Sequence, residues 1–170
     1  NTELSHIDIR SNQLTSLDVS SNTALMTLLC EGNQLTSLDV SNNTALEVLA
    51  SQSNQLTSLD VSSNTALSEL WLGDNQLTSI DLSNNSSLER FHIDGNQLTS
   101  LDVSANTALI ILYCQLNQLF YLNMKNGVTD QLTEFNATDN SLDCIEVNAE
   151  DVAYATENWT YENGNIDIEV

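Results

Sequence analysis

The phrase Asn-Gln-Leu-Thr-Ser-Leu-Asp-Val-Ser occurs four times in this chain, starting at Asn12, Asn33, Asn54 and Asn96. A fifth version at Asn75 changes only Leu to Ile and Val to Leu. A degenerate sixth begins at Asn117, and a seventh, Asn-Ser-Leu-Asp-Cys-Ile-Glu-Val, at Asn140. The step is 21 residues until the last, which is 23. Repetition at a fixed period near 20 residues specifies a stack of equal coils, because one such unit cannot bury its own apolar face. What is copied therefore encodes architecture, and function is to be sought in the residues that are not copied.

Aligned from its first leucine, the unit reads Leu25-x-x-Leu28-x-Cys30-x-x-Asn33-x-Leu35-x-x-Leu38-x-Val40-x-x-Asn43. Leu-x-Leu alternation predicts a strand with one buried face, and stacked strands sit about 4.8 Å apart. The Asn of each unit (Asn33, Asn54, Asn75, Asn96, Asn117) falls where the chain turns off the strand. A buried amide there can bond the backbone of its own turn and of the next coil. The second half, Leu-Asp-Val, also alternates in, out, in. It predicts a second short strand on the far side of the coil, forming a continuous parallel ladder like the first. Strands on both sides match in spacing, so the rod is expected to be nearly straight and about 35 Å long.

The first eleven positions of the unit follow Leu-x-x-Leu-x-Leu-x-x-Asn/Cys-x-Leu. The frame fits from Leu4 to Leu14 through Leu132 to Leu142. On these residues the chain resembles the leucine-rich-repeat superfamily over roughly Leu4 to Val147. The fold class expected is a mainly β, right-handed leucine-rich-repeat solenoid of about seven coils, weakly curved, with a C-terminal cap. Residues 1–147 form the array and 148–170 the cap. A short helix starts near Asp151, an N-cap residue type. The Asn163-Gly164 pair signals a hairpin, and Trp159, Tyr161 and Ile166 cover the last coil. The 21-residue unit and the run from Cys144 to Trp159 are similar to secreted arrays of Bacteroidetes. That resemblance implies an extracellular or cell-surface, non-catalytic binding role.

Composition narrows the partners. Against 24 acidic residues stand three bases, Arg10, Arg90 and Lys125, for a net charge of −21. Such a surface repels phosphate backbones and anionic membranes, so nucleic acid and lipid are poor partners. No apolar run approaches the 18 residues or so of a membrane span. Cys30 and Cys114 occupy inward positions four coils apart, about 19 Å, beyond disulfide reach. Cys144 reads as a free outward thiol. The uncapped edge at Leu4, Ile7 and Ile9 invites pairing with a second chain or an upstream segment.

The outward mid-strand column is Asp8, Leu29, Ala50, Trp71, His92, Tyr113, Asn136. The columns beside it run His6, Thr27, Val48, Glu69, Arg90, Ile111, Glu134 and Arg10, Glu31, Gln52, Gly73, Asp94, Gln115, Thr138. In the superfamily this is the ligand face. Leu29, Trp71, His92 and Tyr113, with Arg90, Glu69 and Asp94 beside them, have the makeup of a contact surface for a protein or a polysaccharide. Arg90 is expected to be held by Glu69 or Asp94. Two histidines in separate coils and no nucleophile or phosphate-loop motif argue for a chain that is not an enzyme.

The opposite side repeats Asp18, Asp39, Asp60, Asp81 and Asp102, flanked by serines. Like charges at this spacing are expected to raise the carboxylate pKa values, so that mild acidification stabilises the chain. Serine and backbone donors are one compensation. Bound Ca²⁺ is another, since carboxylate oxygens are hard ligands. No other cofactor is implied.

Overall fold

The protein is described by a computed structural model over residues 1–159. Each turn of the chain contributes a three-residue strand to one parallel sheet: β1 (His6–Asp8), β2 (Thr27–Leu29), β3 (Val48–Ala50), β4 (Glu69–Trp71), β5 (Arg90–His92), β7 (Ile111–Tyr113) and β9 (Glu134–Asn136). The register is the repeat itself, with Leu28 opposite Leu49, Leu49 opposite Leu70, Leu70 opposite Phe91 and Leu112 opposite Phe135. The inward residues fill one core. Leu28, Leu35, Leu49, Leu56, Leu70, Leu77, Phe91 and Leu98 are fully buried, as are Cys30 and Cys114. Cys144 is exposed and unpaired.

The Asn of each turn does what its spacing predicted. Asn75 Oδ1 accepts from the Leu56 N–H at 3.0 Å, and its Nδ2 donates to the carbonyls of Ser51, Leu72 and Gly73. A second buried ladder was not foreseen. Asn43, Asn64, Asn85 and Asn106 are fully buried, and Asn64 Nδ2 donates to Val40 and Asn43 carbonyls of the preceding coil. The turn between strand and first Asn needs a left-handed residue. Ser11, Gly32, Ser53, Asp74, Gly95, Leu116 and Asp139 supply it, with φ between 53° and 67°.

The second side departs from expectation. Among the described residues, only β6 (Ser100–Asp102), β8 (Tyr121–Asn123) and β10 (Cys144–Glu146) form a ladder there, in the order β10-β8-β6. In the earlier coils the Leu-Asp-Val segments carry no backbone bonds to their neighbours. Each aspartate takes the N–H two residues on, as Asp39 does from Ser41 at 2.9 Å, but Asp102 and Asn123 accept the same bond from Ser104 and Lys125 inside the ladder, so this local bond does not separate the coils. Facing carboxylates do, because they repel. Where Asn123 follows Asp102, its amide bonds that carboxylate at 3.1 Å, and the ladder closes.

The array ends in α1 (Val152–Asn158), after Asp151 as expected, although the Asp151 side chain makes no capping bond. Trp159 is 3% exposed and packs on Phe135 with ring centroids 4.6 Å apart. It thus closes the apolar end of the last coil. The hairpin expected around Asn163-Gly164, with Tyr161 and Ile166, lies outside the described residues.

Candidate functional site

Strand pairing sets the varied residues in straight columns. Ala50 stands opposite Trp71, Trp71 opposite His92 and His92 opposite Tyr113. The Trp71 and His92 rings are stacked, with centroids 4.3 Å apart and planes within 2°. Tyr113 meets His92 at 4.6 Å and 78°. Parallel rings at the strand spacing lie across the sheet, so the Trp71–His92 pair turns its edges to solvent. Ala50, on the outward column between Leu29 and Trp71, is only 5% exposed. Leu29 itself is half-buried.

Polar groups pin the stack. Trp71 Nε1 donates to Glu69 Oε2 at 3.3 Å, and Arg90 Nη1 donates to Glu69 Oε1 at 3.1 Å. Arg90 also lies 3.7 Å from Glu89. The expected alternative partner, Asp94, is not used. Its carboxylate lies over Gly73, where a Cβ would meet Asp94 Oδ1 at 3.0 Å. The Arg90 pairs are half-exposed and worth at most about 1 kcal/mol, which leaves Arg90 available to a competing ligand. The Tyr113 hydroxyl donates to the Glu134 carboxylate, and that bond raises the Tyr113 pKa. Burial pushes the His92 pKa down, against the opposing pull of Asp94, Glu134 and Glu69. The imidazole is therefore neutral at pH 7 and stacks without a charge to hydrate. Burial raises the pKa of Asp94.

The aspartate side behaves otherwise than its charges suggest. Asp18, Asp39 and Asp60 have lowered pKa values, because the hydroxyl and backbone N–H of Ser20, Ser41 and Ser62 bond them; for Asp39 the repulsion of Asp18 and Asp60 is a smaller effect. Asp81 is lowered by the backbone and hydroxyl of Ser83. At Asp102, burial raises the pKa but is outweighed by bonds from Ser104 and Asn123. The expected rise is thus reversed in sign: each carboxylate brings its own donors. Among the described residues no group of three or more His, Cys, Asp or Glu side chains could hold a metal ion. A shallow depression between Asp81 and Asp102 is lined by Ile80, Leu82, Ser83, Ser104 and Ala105.

Two features escaped the sequence reading. Glu31, Gln52 and Gln115 flank the aromatic column, and each carries a side-chain oxygen shielded from solvent with no donor. Their position in a varying column was the available signal. Leu116 and Phe120 are 56% and 51% exposed, where other coils carry small or polar residues. Their signal was the broken phrase at Asn117.

No family model matches the chain, and no curated protein sequence is significantly similar to it. Solved structures do match. The functional domain of InlJ from Listeria monocytogenes, which includes a cysteine ladder, shares 30% identity over 85% of this chain and 42% of that one, with a TM-score of 0.70. An internalin, inlF, from the same organism shares 24% over 86% of this chain and 47% of its own, with a TM-score of 0.73. The leucine-rich-repeat protein LIC12759 of Leptospira interrogans shares 20% over 98% and 49%, with a TM-score of 0.68. The chain spans less than half the length of each. The fold is that of a leucine-rich-repeat solenoid. With Cys30 and Cys114 four coils apart, it holds no cysteine ladder. No helix among the described residues is long and apolar enough to cross a membrane.

Proposed function

We propose that this solenoid is an extracellular, non-catalytic binding or adhesion module, and that the Trp71–His92–Tyr113 face takes its ligand. One observation carries the reading. The aromatic column occupies the face whose residues change from coil to coil, while the leucine frame, the two Asn ladders and the aspartate side are copied. Rigid strands hold large side chains there with little conformational freedom left to lose, which is the setting of interface hot spots. Between a protein and a polysaccharide ligand, the stack favours protein. Stacking takes one face each of Trp71 and His92, and Tyr113 takes a second contact on His92, which leaves a sugar ring less aromatic platform there. The similarity of the repeat unit to secreted Bacteroidetes arrays, and the fold shared with Listeria internalins, support the extracellular setting. The rival is a spacer holding apart the domains of a larger protein, for which the monotonous aspartate side would suffice.

The test is an array of extracellular proteins and glycans probed with the wild type, a Trp71→Ala/Tyr113→Ala variant and Ser58→Ala. Signals kept by Ser58→Ala and lost by the aromatic variant are expected. Signals surviving in the aromatic variant would refute the site. No signal at all, with a rigid rod by small-angle scattering, would favour the spacer.

A further inference from the structure

Beside the aromatic column runs a row of acceptors: Glu31, Gln52, Asp94 and Gln115. Backbone bonds across the coils keep the row in line, from the Gly32 N–H to Gln52 O, from Ser53 to Gly73 O, from Asp74 to Asp94 O and from Gly95 to Gln115 O. Glu31 Oε2, Gln52 Oε1 and Gln115 Oε1 are shielded from solvent yet lack a donor. Asp94 extends along the same row over Gly73. A larger residue at position 73 would displace it.

The bases of the chain do not supply the missing donors. Arg10 is forked onto Asp8 at 2.7 Å and reaches only the other Glu31 oxygen, at 3.5 Å. Arg90 is held by Glu69 and Glu89, and Lys125 by Glu146. Acceptors that find no donor inside the chain are costly; because Glu31, Gln52 and Gln115 are only half-buried, a side-chain rotation brings these oxygens outward to a ligand that donates and accepts little. Ammonium and guanidinium groups do this, whereas sugar hydroxyls both donate and accept. A cation also gains from the field of a chain with net charge −21.

We propose that this row and the Trp71–His92 stack form a docking surface for a basic protein segment. Its lysine or arginine side chains donate to Glu31, Gln52, Asp94 and Gln115 and lie against the aromatic column. The inference rests on the reading of this face as the binding face, and names the chemistry of its partner.

Tetralysine and cellotetraose are titrated into ¹⁵N-labelled protein at about 0.15 M salt, where exposed charges more than about 8 Å apart are screened. Tetralysine is expected to shift the Trp71 indole N–H and the Gln52 and Gln115 side-chain amides. Glu31→Gln/Asp94→Asn should weaken binding about tenfold. Asp39→Asn/Asp60→Asn removes the same charge from the opposite side and should weaken it less than twofold. If the double variant loses native peak dispersion, Glu31→Gln alone replaces it. Equal weakening by both pairs, or shifts confined to Asp39–Asp81, would reduce the effect to bulk charge and overturn the inference. A response at Trp71 to cellotetraose and none to tetralysine would overturn it while leaving the binding face intact. Silence towards both probes overturns it too, and leaves the proposed function to the array experiment.

Discussion

Asn75→Ala probes the device that joins the coils. The amide bonds one N–H and three carbonyls. The carbonyls are not orphaned by its loss. Ser51 O keeps Asn54 Nδ2, Leu72 O keeps Asn96 Nδ2 and Gly73 O keeps the Ser53 N–H. The Leu56 N–H, on a fully buried residue, has no other acceptor. An orphaned buried donor costs about 1–3 kcal/mol, and the three secondary bonds add a fraction of a kcal/mol each. The expected total is about 2–4 kcal/mol, read as a lowered midpoint in urea unfolding followed by the fluorescence of Trp71 and Trp159. Asn75→Asp keeps an acceptor for Leu56 but sets a charge against three carbonyl oxygens, so it should be at least as damaging at neutral pH. A loss under about 1 kcal/mol for Asn75→Ala, or a milder effect for Asn75→Asp, would refute the reasoning.

Ser51→Ala should raise stability by about 1 kcal/mol in the same assay, because the Ser51 hydroxyl is fully buried without a partner in a core position that other coils fill with Cys, Leu, Ile or Ala. Acidification should not stabilise the chain through the aspartate column. The folded pKa values lie below the unfolded value of about 3.9, so the native state binds fewer protons; the contribution is present above that value and lost as pH falls through the folded ones. The melting temperature should therefore fall below about pH 4, and Ser41→Ala/Ser62→Ala should weaken that dependence. A rise in melting temperature that Asp39→Asn/Asp60→Asn abolishes, between neutral pH and about pH 5, would contradict this assignment. An NMR titration of His92 should give a midpoint below about 6.5, since burial opposes its charge.

The sequence carried the sheet, its register and the first Asn ladder, because each follows from a period the chain repeats. The columns from Asp8 to Asn136 pair in the order read from the sequence. The second side was less legible. Leu-Asp-Val alternates like a strand, but its aspartates face one another from coil to coil, and the ladder closes only where Asn123 bonds Asp102 in place of a facing carboxylate. The buried Asn43 ladder hid in Asn-Thr-Ala-Leu, which reads as a polar corner. At the site, the sequence placed Trp71, His92 and Tyr113 in one column. It could not show that Trp71 and His92 stack face to face, or that Asp94 leans over Gly73 rather than towards Arg90, since side-chain direction is not encoded in spacing.

The central claim is that binding energy concentrates on the varied face. A calorimetric titration of the array-selected ligand into wild type, Trp71→Ala, Tyr113→Ala and Ser58→Ala tests it directly. Trp71→Ala and Tyr113→Ala should each weaken binding by about 1–3 kcal/mol with the fold unchanged by circular dichroism, and Ser58→Ala should match the wild type. The reverse order, with Ser58 or the aspartate column critical and Trp71 silent, would move the site to the opposite side and contradict the account.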